Sequence, residues 1–133
     1  EYLGFVQDIK TIDDAIDILD GCDHPDACLV LDPFHCFVGE GGFQGLSRLK
    51  PEQIAVSHFN DAPADKPAST QRDPDRVFPG DGAIDLTGYC ALLQQTGYTG
   101  FLSLELFRED LWEMDPLEVA TMGLRKMREA VEA

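Results

Sequence analysis

The chain has 133 residues, 44% of them apolar, and carries 25 Asp and Glu against 10 Lys and Arg for a formal net charge of −15. That apolar share suits one modest core, while the acidic excess opposes a nucleic-acid phosphate backbone or an anionic membrane surface as partner. No stretch approaches the roughly 18 apolar residues of a membrane span, and the opening EYLGFVQDIK has neither the basic region nor the apolar run of a signal peptide, so a cytoplasmic location is expected.

Four times a short apolar run precedes a helix-compatible segment. EYLGFV leads into TIDDAIDILDGC, ACLVLD into FQGLSRL, IAVSHF into DLTGYCALLQQTG, and FLSLELF into DPLEVATMGLRKMREAV. The runs are short and lack strict alternation, as parallel strands buried on both faces do, so the pattern predicts a βαβα succession with helices outside a parallel sheet. Thr11 with Asp14 three positions on resembles an N-terminal cap, Asp85 and Asp115 precede helical stretches, Pro116 suits a first turn, and Gly97 suits a C-terminal stop. Between the third run and its helix, residues 60–85 are too long and too rich in Pro, Asp and Gly for a plain connection, which marks a functional loop. Cys22, Cys28, Cys36 and Cys90 form no CxxC pair and read as free packing thiols.

Parallel α/β folds place their active sites at the C-terminal ends of the strands. There the second run ends in Asp32, with His35 just beyond, the third in His58 and the fourth in Glu105, while Glu1 stands beside the first. Three carboxylates and one imidazole form an oxygen-rich set that suits Mn²⁺, Mg²⁺ or Co²⁺ better than a thiolate-rich structural zinc site does. Each residue also has a plainer role. Glu105, flanked by Leu104 and Leu106, could pair with Arg76 or Arg108; Asp32 could cap the following loop; His58 could be a core histidine.

The strings LDPFH, SHFNDA, DRVFPGDGAID and GYTGFLSLELF, in this order, resemble the xylose isomerase-like barrels, a superfamily of sugar-phosphate isomerases and epimerases, inosose dehydratases and related enzymes. The resemblance implies an α/β fold, the (β/α)8 TIM barrel, of which residues 1–133 would be a single partial domain: the C-terminal half, with the last four βα units. It implies Glu1, Asp32, His58 and Glu105 as metal ligands, Glu1 and Glu105 as the acid/base pair, and His35 and Arg76 as substrate-binding residues. It also implies one divalent ion, Mn²⁺ foremost, with Mg²⁺, Co²⁺ or Zn²⁺ as alternatives, and a sugar, keto-sugar or inosose substrate. The expected reaction is isomerisation or epimerisation through an enediolate, with an inosose-type dehydration as the alternative.

Such barrels are about 250 residues or more. A chain that opens at a ligand-type carboxylate therefore reads as truncated, and association of two copies is one way its open sheet edges would be covered. Endonucleases on the same barrel need further histidines, whereas the corresponding stretch here, Asp75-Arg76-Val77-Phe78, has none. A truncated, non-catalytic metal-binding barrel is the remaining class.

Overall fold

The computed structural model describes residues 1–133 throughout. Helix α1 spans Ile12–Gly21, strand β1 Leu29–Leu31, helix α2 Pro33–Val38, strand β2 Ile54–His58, helix α3 Leu86–Thr96, strand β3 Leu102–Ser103, the short helix α4 Glu109–Trp112 and helix α5 Pro116–Glu132. The three strands form one parallel sheet in the order β1-β2-β3. Leu31 lies opposite Ser57, and His58 opposite Ser103, so the sheet brings the ends of all three strands to one side.

Local chemistry sets the helix boundaries. Thr11 and Asp14 close a capping box: the Asp14 amide donates to the Thr11 hydroxyl oxygen at 3.2 Å, and the Thr11 amide to the Asp14 carboxylate at 2.9 Å. Asp85 and Asp115 cap α3 and α5 through their carboxylates, Pro116 takes the first turn of α5, and Gly97 ends α3 with φ of +83°, a conformation in which glycine carries no steric penalty. The buried residues of α1, Ile12, Ala15, Ile16 and Leu19, follow the i, i+3, i+4, i+7 spacing of one helical face. They join Leu31, Phe34, Leu46, Ile54, Phe59 and Tyr89 in one core.

Two expectations are corrected. The run EYLGFV is not a strand; residues 4–9 are turns and bends, and the Val6 amide closes onto the Leu3 carbonyl at 3.0 Å. Gly4 shows why: a Cβ there would sit 2.1 Å from the His35 carbonyl oxygen, so this segment is pressed onto α2 instead of extending along the sheet. The chain thus contributes three strands to the sheet, not four. FQGLSRL forms only a 3₁₀ segment, Gln44–Arg48, and the α-helix after β1 starts at once at Pro33, because Asp32 accepts from the Phe34 amide at 2.8 Å and Pro33 is preset for a first turn.

The long segment 60–85 is held together from within. Asp61, 1% exposed, accepts from the backbone amides of Ala62, Gly80, Gly82 and Ile84 at 2.8, 3.1, 3.0 and 2.9 Å, and exchanges backbone hydrogen bonds with Val77. Gln71, fully buried, donates to the carbonyls of Pro63 and Lys66 at 3.0 and 2.6 Å. With both ends tied, the loop folds back over the strand ends and delivers Arg76 there.

Candidate metal centre

Each site residue arrives by its own element. Asp32 is the last residue before α2, His58 ends β2, and Glu105 lies two residues past β3; Glu1 is carried by the segment packed on α2. The four offer ligand atoms that all lie within 4.8 Å of one another. His58 Nδ1 is the common point, 3.1 Å from Glu1 Oε1, 3.2 Å from Asp32 Oδ2 and 3.2 Å from Glu105 Oε2. Asp32 serves two purposes with two oxygens: Oδ1 caps α2, and Oδ2 faces the cluster.

Arg76, 1% exposed, spans this cluster from the loop. Its Nη1 lies 3.0 Å from Asp32 Oδ2 and 2.5 Å from Glu105 Oε2, while Nη2 donates to Asp73 Oδ1 at 2.9 Å and to His35 Nε2 at 3.0 Å. The ion pair between Glu105 and Arg76, the plainer role foreseen for Glu105, is therefore formed alongside the cluster. Phe34 and Phe107 each lie about 5 Å from the guanidinium carbon, a cation–π arrangement that holds the planar group in place.

A family model for the xylose isomerase-like TIM barrel matches residues 2–130. The chain belongs to the xylose isomerase-like TIM barrel family. Among its relatives, an inosose isomerase of Bacillus velezensis is 30% identical over 134 residues, an alignment that takes in 100% of this chain and 46% of that protein. A 3-dehydroshikimate dehydratase of Pseudomonas aeruginosa is 33% identical over 129 residues, 96% of this chain and 20% of that protein. The crystal structure of the IOLI protein with a bound zinc atom superposes with a TM-score of 0.85 at 29% identity, covering 92% of this chain and 44% of that one. The chain spans about half the length of the inosose isomerases it matches, and the three parallel strands are part of a TIM-barrel sheet.

Within this partial xylose isomerase-like barrel, three carboxylates face one guanidinium and one imidazole, leaving an excess of negative charge. Burial, and next the charge of Asp32, push the Glu1 carboxyl above its ordinary range. Burial also pushes Asp32 upward, but the His58 hydrogen bond and the Arg76 charge outweigh it and hold Asp32 below that range. The same hydrogen bond, which His58 Nδ1 donates to Asp32, raises His58 against the opposing effect of burial, whereas burial lowers His35. Oxygen donors with one imidazole nitrogen, converging with surplus negative charge and no thiolate, fit a divalent cation.

His35 and Arg76, expected as substrate-binding residues, are both 1% exposed. Because an arginine cannot accept, His35 Nε2 must be the acceptor, which places the proton of the neutral imidazole on Nδ1, an atom without a partner. Two members of the arrangement were not singled out from the sequence. Asn60, fully buried, donates from Nδ2 to Asp32 Oδ2 at 3.2 Å and to the Glu105 carbonyl at 3.4 Å, and Asp73 anchors the far side of Arg76. Asn60 stands two residues beyond His58 in SHFND, a signal that could have drawn attention to it; Asp73 is one of many loop acids, and its sequence offers no such mark.

Proposed function

We infer that the protein is a divalent-metal-dependent isomerase or epimerase of a sugar, keto-sugar or inosose, acting in the cytoplasm by removing a proton next to a carbonyl. The observation that carries this reading is the meeting of Glu1, Asp32, Glu105 and His58 within 4.8 Å, in a chain whose relatives include inosose isomerases. Glu1, Asp32, His58 and Glu105 would hold the ion; Mn²⁺ is the proposed ion, and the zinc of the IOLI protein makes Zn²⁺ its main rival. When bound, a divalent ion supplies Lewis-acid polarisation of a substrate carbonyl oxygen.

In this reading Glu1 and Glu105 are the base and acid. One carboxylate takes the proton from the carbon beside the carbonyl, and the C–H electron pair moves onto the carbonyl oxygen as an enediolate. For epimerisation the other carboxyl group returns a proton to the same carbon from the opposite face; for isomerisation the proton returns on the same face to the former carbonyl carbon, while the neighbouring hydroxyl passes its proton to the former carbonyl oxygen. Arg76, fixed between Phe34 and Phe107, supplies positive charge for the developing oxyanion, and His35 holds Arg76 in orientation.

A dehydration is the second reading, favoured by the 33% identity to a 3-dehydroshikimate dehydratase. It shares the proton removal and then expels a β-hydroxyl as water.

The test is solvent-deuterium incorporation beside the carbonyl of an inosose or ketose, followed by NMR with the Mn²⁺-loaded protein. Incorporation lost in Glu105→Gln supports the assignment. Conversion of 3-dehydroshikimate to an unsaturated product without isomerisation of any ketose favours the dehydratase, and a folded, metal-loaded protein that exchanges no proton overturns both. Calorimetric titration of Mn²⁺ into the chelator-stripped protein, beside His58→Ala, tests the ligand set independently.

A further inference from the structure

The two terminal nitrogens of Arg76 divide their partners by kind. Nη1 faces Asp32 Oδ2 at 3.0 Å and Glu105 Oε2 at 2.5 Å, and both of these oxygens also lie 3.2 Å from His58 Nδ1. Both belong to residues of the candidate ligand set. Nη2 faces Asp73 Oδ1 at 2.9 Å and His35 Nε2 at 3.0 Å, and neither of these residues belongs to that set. Of the two, only Asp73 is anionic, because His35 accepts from Arg76 as a neutral imidazole.

The guanidinium is thus tied at one end to carboxylates that a divalent ion would claim, and at the other to groups that it would leave alone. A carboxylate oxygen shared with a cation gives less of its charge to an arginine, so the hold on Nη1 loosens when an ion is bound. No other anchor makes up for this. Arg76 Nε is buried without a partner, and the Phe34 and Phe107 rings, which carry no net charge, restrain the plane of the group without fixing the direction of its N–H bonds. Asp73 is then the one charged group that still sets where the fork points.

The loop is built to keep Asp73 there. Asp73–Asp75 forms a 3₁₀ turn, and the Arg76 amide closes onto the Asp73 carbonyl at 3.2 Å, so the carboxylate and the guanidinium stand three residues apart on one turn. The turn is clamped from outside: Asp75 Oδ2 accepts from the Arg72 amide at 2.8 Å and from the Lys66 ammonium at 2.6 Å. Arg76 therefore reaches the strand ends with a counterion of its own, supplied by the same loop. With its side chain 31% exposed against 1% for Arg76, Asp73 holds the buried cation at a smaller desolvation cost than a fully buried carboxylate would.

We propose that Asp73 is a positioning residue, which keeps the Arg76 guanidinium directed at the substrate oxygen when a divalent ion occupies the carboxylates of Asp32 and Glu105. The proposal rests on the reaction inferred above, in which Arg76 supplies charge for the developing oxyanion, and names the residue that keeps Arg76 available for it.

The first test needs no turnover. ¹H–¹⁵N NMR follows the Arg76 Nη–H signals, which stay resolved while rotation of the guanidinium is hindered, in the metal-free protein and with Zn²⁺, chosen because it is diamagnetic. The parent should show them resolved in both states. Asp73→Ala should keep them resolved without metal, where Asp32 and Glu105 hold Nη1, and average them with Zn²⁺ bound. Averaging in neither state, or equally in both, overturns the positioning role. The second test is kinetic: Asp73→Ala should lower kcat about tenfold and leave KM within about twofold, because a misdirected Arg76 fails in the transition state and not in substrate binding. Asp73→Asn, which keeps an acceptor oxygen without the charge, should fall between parent and Asp73→Ala in both tests, and it carries them alone if Asp73→Ala does not fold. A lower melting temperature with unchanged kcat overturns the proposal in favour of a purely structural Asp73. Zn²⁺-dependent averaging in Asp73→Ala, with no proton exchange by the parent on any substrate, overturns the reaction and supports the anchor.

Discussion

Arg76 and Glu105 meet at 2.5 Å, on the carboxylate oxygen that also lies 3.2 Å from His58 Nδ1. One oxygen thus faces both the guanidinium and the imidazole, so the loop that brings Arg76 and the strand end that brings His58 are coupled through a single carboxylate. Arg76 offsets one of the three carboxylate charges, and a divalent ion would offset the other two.

Replacing Arg76 by Met should therefore destabilise the metal-free protein by about 3 kcal/mol, since buried Asp32 then loses its cationic partner. Saturating Mn²⁺ should recover part of that loss. Urea denaturation with and without chelator measures it, and an equal loss in both conditions would show that Arg76 does not share charge with the carboxylate cluster.

Asn60 donates to the cluster-facing oxygen of Asp32. Asn60→Ala should weaken Mn²⁺ binding by at least about tenfold in calorimetry, as the loss of an outer hydrogen bond to a ligand does. Unchanged affinity would reduce Asn60 to a packing residue.

Asp61 is the acceptor that closes the long loop. Asp61→Ala leaves four backbone amides without their carboxylate and should cost about 3 kcal/mol or more, with rapid proteolytic cleavage between residues 63 and 82. Resistance equal to that of the parent protein would mean that the loop is ordered by Gln71 and the Val77 bridge alone.

The capping box of α1 makes a pH-dependent contribution. The Thr11 side chain, and then the Thr11 and Lys10 amides, hold the Asp14 carboxyl below its ordinary value. A depressed carboxyl contributes stability that is present above its unfolded value, about 3.9, and is lost as pH falls through the lower folded value. Asp14→Asn should therefore lower the melting temperature at pH 7, and the gap to the parent should close below about pH 3.9. A gap that is constant across this range would place the effect of Asp14 elsewhere.

Much was legible in the sequence because it is local. The caps at Thr11, Asp85 and Asp115, the stop at Gly97 and the apolar cores of the runs ending at Asp32 and His58 depend on neighbours within a few positions, where hydrogen bonding and backbone preference act directly. Asp32, His58 and Glu105 could be selected as polar groups at the ends of apolar runs, whereas Glu1 precedes its run and was supported by the family resemblance. Their meeting within 4.8 Å is a property of the sheet, and their role as ligands is what the titrations test.

Tertiary packing decided the rest. EYLGFV has the apolarity of a strand, yet Gly4 lies against the His35 carbonyl and the segment turns, because close packing on α2 overrides a local extended preference. Nothing in DPDRVFPG indicates that Arg76 will be almost fully buried; Asp61 binding four amides and two phenyl rings from distant segments place it there. Residue type alone establishes which side chains carry charge, and local neighbours set the starts of α1, α3 and α5. Which charges meet follows from the fold, since Coulombic and hydrogen-bond energies depend on distances that sequence separation does not set.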